Sequence, residues 1–310
     1  VSNRISTPVR LGLIGAGRWG QNYIKIIRAL SVTRLAALAS RNPASKNLVD
    51  SACHITPDWR ELLDAKLVDG VIIATPPDVH AEMLESAMRA GIPAMIEKPL
   101  TLNLQDALKL QALQRELQAL VLVDHTQLFN SGYIELKRQA KQLGSVRTIH
   151  SEAGKWGPFR DYTALWDYAP HDLSITLDLM RQAPVDVRIT ELESRPVEGG
   201  LGANYRIELD FGSGVRADIM VGNLLRERIR RFTVDFNQQS LALDDLATDK
   251  LVLHNHASDT RTAVTIDSKL PLTRAVETFA DGIRGRATEH FGLGLAVEIA
   301  RVLAHGPARL

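Results

Sequence analysis

The feature that most constrains this chain is a turn built on three glycines. Leu11–Ile14 is a short apolar run, and Gly15-Ala16-Gly17-Arg18-Trp19-Gly20 follows it directly. Behind the turn, Tyr23, Ile26, Ile27 and Leu30 recur at helical spacing. A strand that passes at once into a helix leaves little room for side chains. Gly15 permits the tight turn, Gly17 lets the backbone approach a pyrophosphate, and Gly20 lets helix and strand pack closely. The helix N-terminus then presents unpaired N–H groups and a partial positive charge to the phosphates. Arg18 and Trp19 lie in the same turn and are candidate contacts to a dinucleotide.

The surrounding pattern fits that reading. The apolar runs Leu35–Ala39, Val71–Ala74, Ala94–Ile96 and Leu120–Val123 alternate with helical stretches at Val79–Ala90 and Leu104–Leu117. Short, wholly apolar strands alternating with helices predict a parallel sheet covered on both faces. After Asp124 the pattern changes. Helices are expected at Ile134–Gln142 and His171–Met180. Strands are expected at Val187–Leu192, Tyr205–Phe211, Val215–Val221, Phe232–Phe236, Leu251–His254 and Ala263–Ile266, and two helices close the chain. In Tyr205–Phe211 apolar and charged residues alternate, the mark of a half-exposed antiparallel strand. The expected fold class is therefore α/β plus α+β. Residues 1–124 form a doubly wound parallel sheet of Rossmann type. Residues 125–310 form a mainly antiparallel open sheet with helices on one face, and the last helices are free to pack back on the first domain.

Composition excludes several alternatives. Among 310 residues, 37 are Lys or Arg and 36 are Asp or Glu, so the net charge of +1 supplies no field to draw in nucleic acid or an anionic membrane. Cys53 is the single cysteine, which rules out an intramolecular disulfide and a cysteine zinc site. No apolar stretch approaches the roughly 18 residues of a membrane span, and Val1–Arg10 lacks a signal-peptide core. A soluble cytoplasmic protein is expected.

The strand ends sharpen the site. Dinucleotide sites for NAD usually carry an acid at the end of the second strand, bonded to the ribose 2′-OH. Here that strand ends in Ser40-Arg41, a hydroxyl and a guanidinium suited to a 2′-phosphate, which favours NADP over NAD. Thr75 and Pro76 follow the third long apolar run, and His80 opens the next helix. Glu97-Lys98-Pro99 ends the following run and delivers a lysine to the same edge.

Gly15–Gly20, Ala74–Pro77 with His80, and Glu97-Lys98-Pro99 occur in order at successive strand ends. Together with Asp167-Tyr168-Ala169-Pro170-His171, an Asp-x-x-x-His pattern, they resemble the glucose–fructose oxidoreductase/inositol dehydrogenase/MocA family over essentially the whole chain. The resemblance implies a first domain that holds NADP or NAD, with Gly15, Gly17, Arg18, Trp19, Gly20, Ser40, Arg41, Thr75, Pro76, His80, Glu97 and Lys98 around it. It implies a second domain that binds substrate and pairs subunits, giving homodimers or homotetramers. It also implies hydride transfer between nicotinamide and a hydroxyl-bearing carbon of a sugar, polyol or nucleotide-sugar. Lys98 and His171 become the catalytic groups, with Asp167 contacting substrate beside them. A histidine is suited to take the hydroxyl proton, and a lysine to stabilise charge on the oxygen or to move the proton itself. The two assignments stay open.

Lys155, Trp156 and Trp166 are candidate substrate contacts; Trp166 serves equally as a packing residue. Two other functions remain compatible with the motifs: a glycoside hydrolase that uses nicotinamide transiently, and a non-enzymatic NADP-binding sensor. No metal is expected. His254-Asn255-His256 lacks supporting ligands and reads as a solvated turn, and Arg226–Arg231 reads as a solvated strand face or subunit contact. Pro170 argues against a helix running across the Asp167–His171 pair and favours a helix start there.

Overall fold

The computed structural model describes residues 7–212, 214–286 and 288–307. The chain runs β1 (Val9–Ile14), α1 (Gly20–Ala29), β2 (Thr33–Ala39), β3 (His54–Thr56), β4 (Gly70–Ile73), α2 (His80–Arg89), β5 (Ala94–Glu97), α3 (Leu104–Leu117) and β6 (Val121–Asp124). It continues with α4 (Ser131–Leu143), β7 (Thr148–Trp156), α5 (Ala164–Met180), β8 (Asp186–Val197), β9 (Gly200–Asp210), β10 (Arg216–Gly222) and β11 (Leu224–Asp235). It ends with β12 (Gln239–Asp244), β13 (Leu251–Asn255), β14 (Thr260–Ala263), α6 (Pro271–Ile283) and α7 (Gly294–Leu303). It divides into two compact units, one from the segment up to Asp124 with Leu272–Val297, the other from His125–Pro271 with the segment from Glu298.

The first unit holds a parallel sheet in the order β3-β2-β1-β4-β5-β6. The chain builds outward from β1 through β2 to β3, then returns to β4 on the other side. Ile14 therefore pairs with Ala39 on one flank and Ile73 on the other. The loops leaving β1 and β4 diverge at this point, which opens the crevice where such sheets bind ligands. Every residue of β4, β5 and β6 is buried, as expected of strands covered on both faces. Tyr23, Ile24 and Ile27 of α1, and Met83, Leu84, Ala87 and Met88 of α2, form the buried helix faces. The late helix α6 lies against β4 at Gly70, where a Cβ would come within 2.6 Å of Ile283 Cδ1.

The second unit holds a sheet in the order β14-β13-β12-β11-β7-β10-β9-β8. Among the described residues only the β7–β10 pair of this sheet is parallel. Helix α5 packs on β7, β9 and β10. It is buried from Ala164 to Pro170 and again from Asp172 to Leu177, with the half-buried His171 between.

Several expectations about local structure are corrected. Pro170 does not start the second-unit helix; it lies inside α5, which begins at Ala164 and is preceded by Thr163. A proline there removes one backbone hydrogen bond at a cost of roughly 3 kcal/mol. The burial of nearly the whole helix offsets that loss. Strands β3, β7 and β12 carry no sequence expectation, and β14 ends at Ala263, where a strand start is expected. The buried positions of β7 include Ile149, Ser151 and Ala153, too small and too polar to give a clear alternation. Among the described residues no helix is long and apolar enough to cross a membrane.

Candidate functional site

The glycine turn has the geometry its sequence requires. Gly15 has φ +101°, and a Cβ there would sit 2.7 Å from the Ala74 carbonyl oxygen. A Cβ on Gly20 would collide with the Gly15 carbonyl oxygen. Both positions are closed to any side chain by the protein's own backbone. Gly17 differs: nothing lies within 4 Å of its notional Cβ. Its missing side chain leaves open space rather than accommodating a protein neighbour, the cradle a pyrophosphate needs. Helix α1 begins here with no side-chain cap and no acid in its first turn, so its positive end is left for an anion. These residues fit a dinucleotide. Arg18 and Trp19 are exposed beside them.

The neighbouring strand ends complete this edge. Arg41 is exposed just beyond β2. Ser40 Oγ lies 2.8 Å from Ser45 Oγ and accepts from the Asn42 N–H at 3.2 Å. After β4, Thr75 is half-buried and Pro76 exposed. His80 is fully buried and spans two loops: Nε2 lies 2.9 Å from the Thr75 carbonyl oxygen, and Nδ1 lies 2.9 Å from that of Pro99. Burial lowers its pKa, opposed by the carbonyls around it. His80 thus ties the loop after β4 to the loop that carries Lys98. Lys98 itself is half-buried at the end of β5.

Next to Lys98 in the chain, Glu97 belongs to a cluster of which sequence reading named Trp19 and Glu97 and missed Tyr23 and Asp124. Glu97 ends β5 and pairs in register with Asp124 at the end of β6. The Tyr23 hydroxyl reaches both carboxyls, 2.7 Å from Glu97 Oε1 and 2.5 Å from Asp124 Oδ2. The indole N–H of Trp19 donates to the same Glu97 Oε1. Burial, then the Asp124 charge, push the Glu97 carboxyl well above the usual carboxylate range; Tyr23, Lys98 and Trp19 pull it back. Burial between two carboxyls likewise raises Tyr23. Trp19 and Tyr23 are four residues apart, so one helical face at the start of α1 was the available signal.

In the second unit, α5 sets Asp167 and His171 one turn apart, on one face. Asp167 is buried, and the Arg160 guanidinium donates to it, Nε to Oδ2, at 3.2 Å. The next turn is braced from below. Asp172 is buried and accepts from Ser151 Oγ at 2.7 Å, with Arg230 at 3.8 Å. Burial raises its carboxyl pKa, while Arg230 and Ser151 oppose the shift. Arg230 therefore turns inward, while Arg226, Arg228 and Arg231 are exposed, as expected of a solvated strand face. The Tyr168 hydroxyl donates to the Gly157 carbonyl at 2.5 Å, and burial with the Asp167 charge pushes it up to about 12. Of the substrate candidates, Lys155 and Trp156 are exposed. Trp156 packs edge-on against Phe159 with ring centroids 5.7 Å apart, and Arg195 stands over its ring. Trp166 is buried within α5. At the discounted histidine pair, His254 Nε2 lies 2.8 Å from Asp259 Oδ1.

Comparison with known proteins places these features. Residues 9–125 match the profile of the GFO_IDH_MocA family, described as an oxidoreductase family with an NAD-binding Rossmann fold. A crystal structure of a chain described as an oxidoreductase, from Magnetospirillum magnetotacticum MS-1, is 40% identical, with TM-score 0.90 over 96% of this chain and 99% of that one. This chain belongs to the glucose–fructose oxidoreductase/inositol dehydrogenase/MocA family. Other members of the family are similar along much of its length. A UDP-N-acetylglucosamine 3-dehydrogenase of Acidithiobacillus ferrooxidans is 28% identical over 80% of this chain and 78% of its own. An inositol 2-dehydrogenase of Saccharopolyspora erythraea is 27% identical over 71% of this chain and 68% of its own. The protein is an NAD(P)-dependent oxidoreductase of the dehydrogenase kind.

Proposed function

We propose that this protein oxidises a secondary hydroxyl, or reduces the matching ketone, on a sugar, polyol or nucleotide-linked sugar, with NADP preferred over NAD. The observation that carries the reading is the open backbone at Gly17 beside strand ends that bear Arg41 and Lys98. The similarity to a nucleotide-sugar dehydrogenase and an inositol dehydrogenase supports the substrate class.

The backbone of Gly15, Gly17 and Gly20 would hold the pyrophosphate, Ser40 and Arg41 the 2′-phosphate, and Thr75 and Pro76 the nicotinamide end. When bound, the nicotinamide supplies the hydride acceptor. The chain supplies the proton chemistry. His171 takes the hydroxyl proton on a ring nitrogen as the carbon–hydrogen bond breaks, and Lys98 holds the oxygen as negative charge develops on it. Asp167, fixed by Arg160, holds a neighbouring substrate hydroxyl. Lys155 and Trp156 would contact the substrate, and subunits would pair through the second unit's sheet.

A panel of free and nucleotide-linked sugars, assayed for hydride transfer with NAD and NADP in parallel, tests this. Net reduction of NADP by one class supports the reading. Product formation with no net change of cofactor points instead to hydrolysis.

A further inference from the structure

Hydrogen-bond donors and acceptors can be counted beneath Lys98. A phenol has one hydrogen, and an ionised carboxylate has none. The Tyr23 oxygen stands within hydrogen-bond distance of two carboxyl oxygens, 2.7 Å from Glu97 and 2.5 Å from Asp124. Two such contacts need two hydrogens. Tyr23 brings one, so the second must sit on a carboxyl. Were both carboxyls ionised, one contact would press a bare hydroxyl oxygen against a buried anion, which low dielectric makes costly.

The same count assigns the proton. Glu97 Oε1 already accepts from Trp19 Nε1, which can only donate. An oxygen that receives the indole N–H is best ionised and receives the Tyr23 hydroxyl as well. Asp124 Oδ2 then carries the extra hydrogen and donates it to the Tyr23 oxygen. All four side chains belong to the first unit, and three of them are buried: Tyr23 in α1, Glu97 at the end of β5, Asp124 at the end of β6.

We infer that Tyr23 holds Glu97 and Asp124 as a pair that shares one proton, carried by Asp124, so that one buried negative charge and not two lies beside Lys98. Tyr23 is a positioning residue: it fixes the charge count and joins the ends of β5 and β6 to the helix that follows the glycine turn. Through Trp19, the charged member of the pair is also bonded to that turn. The raised Glu97 carboxyl fits a buried pair that holds one proton between its members, and the Trp19 contact, not the direction of that shift, assigns the proton to Asp124. The charged and titratable groups that act on Glu97 include Asp124, Tyr23 and Lys98, and His125 follows Asp124 in the chain.

The proton count stands whatever reaction the protein performs, so its failure and the failure of the proposed function are distinguishable. Infrared difference spectra at neutral pH test the count. The carbonyl stretch of a protonated carboxylic acid is expected in the wild type and in Asp172→Asn, shifted by carboxyl-13C aspartate and not by carboxyl-13C glutamate, and lost in Asp124→Asn. No such band assignable to the pair, or a band that shifts with labelled glutamate instead of aspartate, overturns the inference. If Asp124→Asn does not fold, wild type and Asp172→Asn labelled with carboxyl-13C aspartate give the same answer by NMR. One buried aspartate must stay in its acid form through neutral pH after Asp172 is removed; if none does, the inference fails.

Discussion

Arg160 Nε stands 3.2 Å from Asp167 Oδ2, and the pair is asymmetric: the arginine side chain is 49% exposed, the aspartate 8%. The arginine reaches from solvent to hold a carboxylate that α5 presents one turn before His171. Arg160→Ala should therefore act more on substrate binding than on folding. Water around the guanidinium limits the stability cost to about 1 kcal/mol. KM should rise by about tenfold, with partial recovery in Arg160→Lys. Steady-state kinetics beside thermal melts check this; an unchanged KM contradicts the place given to Asp167.

The glycines of the turn should separate folding from cofactor binding. Gly20→Ala drives a Cβ into the Gly15 carbonyl oxygen, and overpacking of this kind costs about 2–3 kcal/mol. Gly17→Ala meets nothing within 4 Å, so the apo protein should keep its stability within about 0.5 kcal/mol. The cost at Gly17 appears on adding NADP, as an affinity weakened by at least about tenfold, or ~1.4 kcal/mol. Denaturation curves with and without NADP give both quantities. A Gly17→Ala protein that binds NADP normally would remove the cradle from the account.

Arg41 should decide the cofactor. A guanidinium paired with a 2′-phosphate contributes to NADP and nothing comparable to NAD. Arg41→Ala should lower kcat/KM for NADP by about tenfold or more, ~1.4 kcal/mol, and leave the value for NAD nearly unchanged. Equal losses with both cofactors would contradict the assignment.

Asp172 should set part of the pH dependence of stability. Burial raises its carboxyl above the ordinary aspartate range. A group raised in the folded state binds its proton more tightly there than in the unfolded chain. Its contribution is present in acid and is lost as pH rises through the folded value. Asp172→Asn keeps an oxygen for Ser151 and removes the titration. The wild-type Tm should therefore fall relative to the variant between acidic and neutral pH. A constant difference across that range contradicts the sign.

The parallel strands of the first unit were legible because both their faces are buried. Leu11–Ile14, Val71–Ile73 and Ala94–Ile96 read as plain apolar runs, and the motifs sit where those runs stop. The glycine turn was legible residue by residue, since backbone contacts alone exclude side chains at Gly15 and Gly20. What joins distant segments was not legible. Tyr23 and Asp124 are 101 positions apart, and only the register of β5 with β6 brings Asp124 beside Glu97. The pair of Asp172 and Arg230 was hidden for the same reason, and Arg230 read as one more basic residue on a strand. Pro170 misled because its local preference is opposed by the burial of α5 as a whole.

The proposed role of Lys98 in a hydride transfer supported by the glycine-turn nucleotide site is tested most directly by following nicotinamide absorbance on mixing NADP-loaded protein with the sugar panel, for wild type and Lys98→Met side by side. A sugar, polyol or nucleotide-sugar should drive net formation of reduced cofactor in the wild type. In Lys98→Met that formation should fall by at least about a hundredfold, ~2.7 kcal/mol of transition-state stabilisation, while NADP still binds. Reduction at the wild-type rate in Lys98→Met would contradict it.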